Sequence, residues 1–157
     1  MNPSVEVEGI ELTAELLPQA SLLLAGYMYP NSECEWSADQ LERCRGNLER
    51  LLTFRHVNFF LAKRGEEYIG FIAVHWGFST TTGKLILRIQ DLYVMPEQRK
   101  QGVAARLIHT AADLAKRHDA NRLELNTGTA NVSARRLYEA LGFQRQPGKE
   151  IYMHFIR

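Results

Sequence analysis

Leu92-Tyr93-Val94-Met95-Pro96-Glu97-Gln98-Arg99-Lys100-Gln101-Gly102-Val103-Ala104 reads as a strand, a turn and the start of a helix. Pro96 stops the strand because it lacks the N–H that a sheet ladder needs. A helix start leaves backbone N–H groups unpaired and carries the positive end of the helix dipole. Such groups bind phosphate, and small residues let the phosphate approach the backbone. Gly102 and Ala104 are the small residues, and Arg99 and Lys100 bring cationic side chains to the same place. A diphosphate is the natural ligand of such a bend. Taken alone, a glycine beside Arg and Lys also reads as an ordinary helix start with solvated basic residues. The spacing is neither that of a Walker loop nor Gly-x-Gly-x-x-Gly.

Upstream of this bend, Lys84 to Val94 reads as a long strand with apolar residues on both faces, which suits a central place in a sheet. Val57 to Lys63 and Tyr68 to Phe78 read as a hairpin around Arg64-Gly65-Glu66-Glu67. Thr80 to Gly83 is the next turn. Val5 to Leu12 predicts a first strand. Leu16, Leu17, Ala20, Leu23, Leu24 and Tyr27 recur at helical spacing after Thr13, a candidate N-cap, and this helix ends at Tyr29-Pro30. Ser37 caps a second helix running to about Leu52, with Gly46 a weak point inside it. Downstream, Gly102 to His118 carries the clearest apolar stripe: Val103, Leu107, Ala111, Leu114 and Ala115. Arg122 to Asn126 predicts a short strand, and Asn131 to Leu141 a helix closed by Gly142. Phe143 to Gln146 and Glu150 to Ile156 predict a terminal hairpin around Pro147-Gly148. The order β-αα-βββ-α-β-α-ββ implies a mixed α/β, or α+β, sheet with helices on both faces.

At 157 residues the chain fits one domain and buries a core without disulfides or metal. Its 45% hydrophobic and 24% charged residues are globular values, and a net charge of +1 argues against a nucleic-acid partner. Cys34 and Cys44 stand ten apart with no Cys-x-x-Cys partner, so free thiols in a reducing compartment are expected. The first dozen residues read as neither signal peptide nor membrane span, so a cytoplasmic protein is expected. His56, His75, His109, His118 and His154 follow no metal-ligand spacing, and no metal is expected.

A second constellation is Asn131-Val132-Ser133-Ala134-Arg135-Arg136-Leu137-Tyr138-Glu139-Ala140-Leu141-Gly142-Phe143. Asn131, Ala134 and Tyr138 share one helix face, and Leu137 and Leu141 share another that should be core. Asn131 also reads as a helix cap, and Tyr138 as a half-buried amphipathic ring.

Together the two constellations resemble the GNAT superfamily of N-acetyltransferases. Arg99-x-x-Gly102-x-Ala104 after Asp91-Leu92-Tyr93-Val94-x-Pro96 resembles its acetyl-coenzyme A signature. Asn131-x-x-Ala134-x-x-Leu137-Tyr138-x-x-x-Gly142-Phe143 resembles its second signature. The resemblance implies one domain over residues 1–157, with a central, largely antiparallel sheet splayed between strands 4 and 5. It implies that Arg99, Lys100, Gln101, Gly102, Val103 and Ala104 hold the coenzyme A pyrophosphate. It also implies that Leu92 and Val94 pair with the pantetheine arm as an added strand would. Asn131 then contacts the coenzyme, and Tyr138 sits by the thioester sulfur as general acid. Such enzymes are often dimers.

A primary amine with pKa ~10.4 is protonated at pH 7, and freeing its lone pair costs about 4–5 kcal/mol. A proton path is therefore required. The polyamine and thialysine acetyltransferases resemble Arg88 to Val94 closely, but carry Glu where this chain has Gln90. An amide takes no proton, so the base is read as a water-mediated path, with Asp91 next and Glu124 a further candidate. Strand alternation sets Asp91 on the face opposite Gln90. In this family the loop between the first two helices helps form the acceptor site. Here Glu33 and Glu35 can attract a cation and Trp36 can supply a cation–π face, while the same residues also read as a solvated acidic loop. Three functions remain: transfer to a small polyamine-like or amino-acid-like amine, transfer to a protein lysine or N-terminus, or coenzyme A binding without catalysis. The lack of an extra peptide-docking segment favours a small molecule.

Overall fold

The structure is a computed structural model that describes residues 6–31 and 35–157, so Val5, Glu33 and Cys34 lie outside the described residues. It falls into two compact units, Met1–Asn126 and Thr127–Arg157.

The first unit carries β1 (Val7–Glu11), α1 (Leu17–Met28), α2 (Ala38–Leu51), β2 (Val57–Arg64), β3 (Glu67–Ser79), β4 (Lys84–Val94), α3 (Val103–Arg117) and β5 (Arg122–Leu125). The five strands lie in sequence order, β1-β2-β3-β4-β5. The first three pairings are antiparallel, and β4 pairs with β5 in parallel. Short turns make the antiparallel neighbours: Gly65 (φ 61°) opens the two-residue β2–β3 loop. A parallel neighbour needs a crossover, and α3 supplies it.

Side-chain alternation divides the strands between two helical layers. Phe59 and Leu61 of β2 and Phe71 and Ala73 of β3 join Leu12, Leu17, Ala20, Leu23 and Leu48 in one core, with Tyr93 packed against it. Phe59 and Phe71 stack at 4.7 Å. The intervening Phe60, Ala62, Ile72 and Val74 are also buried, and turn to the face that α3 covers with Val103, Leu107, Ile108 and Ala111. Gly9 allows this contact, since a side chain there would collide with Thr110 of α3.

The helix ends follow from local chemistry. Ser37 begins α2 with a capping box: its hydroxyl accepts from the Gln40 N–H, and the Gln40 side chain accepts from the Ser37 N–H. Thr13 differs from the expected N-cap. It precedes a 3-10 turn (Ala14–Leu16), and its carbonyl, not its hydroxyl, receives the Leu16 N–H.

The second unit contains α4 (Val132–Ala140). Asn131 Oδ1 caps it, accepting from the Ala134 N–H at 3.2 Å. At the other end the Phe143 N–H bonds the Tyr138 carbonyl at 2.9 Å and the Gly142 N–H bonds the Glu139 carbonyl at 3.1 Å. That is a Schellman closure, with Gly142 at φ 92° in the left-handed region and the Phe143 ring 5.8 Å from that of Tyr138. Leu137 and Leu141, expected as core, are only half-buried, and α4 has no fully buried residue.

The terminal hairpin is not formed. Pro147-Gly148 does turn, with Gly148 at φ 78°, but residues 143–146 and 150–156 carry no strand. Tyr152 and Phe155 are 87% and 82% exposed. Two short arms gain too little burial to hold a ladder without a third strand or a helix to pack on.

Replacing Phe71 with alanine should cost about 3–5 kcal/mol in urea unfolding, because the ring is fully buried and the cavity cannot close over a stack. Gly142→Ala should lower stability by about 1 kcal/mol, since an L-residue at φ 92° is strained, and amide exchange should rise at the end of α4.

Candidate active site

β4 has two unequal halves. Ile86, Leu87, Arg88 and Ile89 pair with Arg122, Leu123, Glu124 and Leu125 of β5. Beyond Ile89 no β5 residue opposes β4, so the two strands part there. At the same point β4 carries a bulge: Val74 faces Ile89 and Ala73 faces Asp91, leaving Gln90 without a partner on β3. One extra residue shifts the side-chain phase. Before the bulge Leu87 and Ile89 are buried with Val74; after it Asp91 and Tyr93, opposite Ala73 and Phe71, lie on the α1 side. The expectation that Gln90 and Asp91 occupy opposite faces by simple alternation is therefore replaced by the bulge. Gln90 is exposed at its apex.

Asp91 is half-buried and accepts a hydrogen bond from Tyr27 Oη at 2.9 Å. Sequence reading placed Tyr27 only in the apolar stripe of α1; nothing in the stripe signals this partner 64 residues away. Tyr27 packs edge-on against Phe71 and Tyr93. Tyr93 fits because Gly26 leaves room for its hydroxyl and Gly70 for its carbonyl. Burial pushes the Tyr93 phenol above its ordinary 10.0, with Arg99 opposing and Glu97 assisting.

The open half of β4 offers its backbone. The Met95 N–H bonds the carbonyl of Ile69, a β3 residue that is itself a bulge opposite β2. A strand residue turns its N–H and C=O to the same side, and its neighbours turn theirs to the other. Leu92 and Val94 therefore direct their peptide groups away from β3, toward the open edge. The Val94 carbonyl receives Arg99 Nε there at 2.9 Å, and the Arg99 guanidinium lies 5.9 Å over the Tyr93 ring.

The chain then makes a 3-10 turn, Pro96–Gln98, and enters α3 through Lys100 (φ 59°) and Gly102 (φ 81°). Gly102 is the N-cap of α3 and, unlike Ser37 and Asn131, supplies no side-chain cap. The Ala105 amide, at the position that Ser37 and Asn131 cap in α2 and α4, thus lacks a side-chain partner, and the helix itself leaves the Val103 and Ala104 amides unpaired as at any helix start. A Cβ at Gly102 would meet nothing within 4 Å, so its surroundings are open and the glycine serves its backbone angle. Gln101 turns its side chain back onto the bend, donating to the Glu97 carbonyl at 3.4 Å. An uncapped helix start with small residues and cations fits a pyrophosphate, and the open strand edge fits an extended amide-bearing arm.

Glu124 forms ion pairs with Arg122 at 2.8 Å and Arg88 at 3.7 Å. That makes it a counter-ion of two guanidinium groups. Of the acceptor-loop residues, Glu35 is exposed and Trp36 half-buried, with an indole N–H that has no acceptor among the described residues. In the second unit burial pushes the Tyr138 phenol above its ordinary 10.0. Among the described residues no cluster of three His, Cys, Asp or Glu side chains forms, and no helix is long and apolar enough to cross a membrane. Cys44 is a buried free thiol, 3.8 Å from the Met28 sulfur, and desolvation raises its pKa. A cavity of about 270 Å³ near Leu51, Phe54 and Asn58 includes none of the expected site residues.

Residues 24–143 match the acetyltransferase (GNAT) family model. The chain is 31% identical over 118 residues to the uncharacterized N-acetyltransferase YhfO of Bacillus subtilis (strain 168), covering 75% of this chain and 77% of that protein. It is 29% identical over 92 residues to the thialysine N-epsilon-acetyltransferase of Mus musculus, covering 59% of this chain and 54% of that protein. Its fold is similar to the crystal structure of "a probable acetyltransferase", with a TM-score of 0.79, 27% identity, and coverage of 96% and 98% of the two chains. The five-stranded sheet that opens after Ile89, the uncapped start of α3 and these matches agree, and the chain belongs to the GNAT family of acetyl-transferring enzymes.

Proposed function

We propose that residues 1–157 work as one N-acetyltransferase domain that moves an acetyl group from acetyl-coenzyme A to the primary amine of a small polyamine-like or amino-acid-like molecule. The observation that carries this reading is the uncapped start of α3 at the end of the open half of β4. Acetyl-coenzyme A supplies an activated acyl group on a thiol leaving group. The amides of Gly102, Val103 and Ala104, with Arg99, Lys100 and Gln101 around them, hold its pyrophosphate. Leu92 and Val94 align the pantetheine arm through their outward peptide groups, and Asn131 adds a contact.

The acceptor arrives as an ammonium ion and must lose a proton. A water-mediated path can take it, and Asp91, a carboxylate held by Tyr27 and next in the chain to the bulge, is the protein group to serve that path or accept the proton directly; Gln90 beside it can only orient the amine. Glu33, Glu35 and Trp36 favour a cationic acceptor. The relative named for thialysine, itself a small amine, supports this substrate class. Tyr138 donates a proton to the departing thiolate, and its raised pKa suits that role because the phenol stays protonated at neutral pH. The enzyme works in the cytoplasm, as a homodimer, without metal or nucleic acid.

Thiol release followed over a panel of spermidine, lysine analogues and peptides tests the acceptor class. Turnover confined to the peptides would overturn it. Tyr138→Phe should lower kcat by about 10²-fold with little change in the acetyl-coenzyme A KM, as loss of a general acid does. A group with raised pKa keeps its proton until pH passes that value, so wild-type kcat should show no loss from Tyr138 ionisation below about pH 10. An unchanged kcat in Tyr138→Phe removes the phenol from the reaction. Asp91→Asn should lower kcat/KM for the amine at least about tenfold and leave coenzyme binding intact; equal activity would leave the proton path to water alone.

A further inference from the structure

We propose that Arg64 of β2 is the positioning residue of the pyrophosphate-gripping bend, fixing it through two glutamine side chains and setting a positive charge behind it. The inference rests on the coenzyme reading given above and names a residue that neither signature contains. In sequence Arg64 is only the first residue of a hairpin turn.

The geometry is specific. Arg64 Nη1 donates to Gln98 Oε1 at 2.8 Å and to Gln101 Oε1 at 3.0 Å. These two glutamines bracket Arg99 and Lys100, so one guanidinium ties both ends of the bend. Gln101 also donates to the Glu97 carbonyl, and the Gln98 N–H bonds the Met95 carbonyl at 2.8 Å. Between the tied points the backbone enters the left-handed region at Lys100 (φ 59°), and just past the second of them it does so again at Gly102 (φ 81°). A lysine there is unfavourable unless its flanks are held. The hold comes from a rigid place: Arg64 ends β2, pairs with Glu67 across the Gly65-Glu66 loop, and lies opposite Val7 of β1. Alternation from Phe60 and Ala62 sends its side chain to the α3 face. Arg106, in the first turn of α3, is fastened to the same corner by donating to the Val7 carbonyl at 3.0 Å.

Electrostatics point the same way. Among the described residues Arg64 has no carboxylate in ion-pair contact, and its acceptors at the bend are neutral amides. Its charge is therefore uncompensated locally and favours an anion at the bend. The bend's own Arg99 is engaged by the Val94 carbonyl. Removing Arg64 should loosen the bend and weaken the field at once, and both effects fall on the coenzyme.

Kinetics and calorimetry on the full chain test this with Arg64→Met, Arg64→Lys, Gln98→Leu, and the combination of Arg64→Met with Gln98→Leu. Arg64→Met should raise the acetyl-coenzyme A KM and Kd about tenfold, equivalent to about 1.4 kcal/mol. Its kcat at saturating coenzyme and its amine KM should stay within about twofold. Arg64→Lys, which keeps the charge and loses the planar fork, should recover about half of that loss on a logarithmic scale. Gln98→Leu, which removes an Arg64 partner that is not among the pyrophosphate-holding residues, should raise the acetyl-coenzyme A KM about threefold, and the combined variant should stay near tenfold rather than reach about thirtyfold, because the two groups act as one unit. Unchanged KM in Arg64→Met, an equal loss in kcat, or multiplicative effects would overturn the proposal. If Arg64→Met does not fold, Gln98→Leu alone decides, and a wild-type KM in it is the contrary result. Failure of the wild type to bind acetyl-coenzyme A would instead remove the underlying reading. Wild-type binding that Gly102→Val destroys and Arg64→Met leaves intact would remove Arg64 only.

Discussion

β4 has a strand on both sides only as far as Ile89, and the site is organised around that parting. A strand inside a sheet spends its peptide groups on its neighbours. Past Ile89 one set of neighbours ends, so Leu92 and Val94 face an edge instead of a ladder. The bulge at Gln90 sits at the same place and re-aims the side chains that follow. Pro96 then ends the strand, and the chain reaches α3 through a bend that gives the helix no side-chain cap. The sequence of events along fifteen or so residues thus leaves two kinds of backbone donor in one neighbourhood, one from a strand and one from a helix.

The aromatic layer on the α1 side keeps this open edge in place. Phe59 stacks on Phe71, and Tyr27 and Tyr93 pack against Phe71 from other directions. Glycines at 26 and 70 admit Tyr93 where any side chain would collide. Tyr93 therefore pins the outer half of β4 to α1 although β5 no longer supports it, and Tyr27 holds Asp91 from the same helix. On the other face α3 is buried along its apolar stripe, so the bend before it is fixed at both ends by core elements. Exposed polar chemistry here rests on packing, which is what precise positioning of a reacting group requires.

Much of this was legible in the sequence. Lys84–Val94 is the strand that its composition predicts, and α3 differs from Gly102–His118 by one capping residue at each end. Those features are local: periodicity, a proline, a left-handed glycine. The second signature was also readable, and the structure gives Gly142 and Phe143 a local purpose, closing α4 around the carbonyl and ring of Tyr138. What escaped was long-range or required a count of residues on two strands. An inserted residue leaves no mark in an alternating strand, so simple alternation sets Gln90 and Asp91 on opposite faces and gives no sign of the bulge. Tyr27 and Arg64 find their partners 64 and 34 residues away, and no spacing rule reaches that far. The last segment failed for the opposite reason. Residues 150–156 have strand composition, but a strand exists only with an edge to pair with.

Amide hydrogen exchange with and without acetyl-coenzyme A tests the central claim most directly, because it reads individual backbone donors. Protection is predicted at Leu92 and Val94 and at Gly102, Val103 and Ala104, with the β1–β2 pairing unchanged. Binding that leaves those amides exchanging at their free rates, or that protects a different part of the chain, would contradict the account.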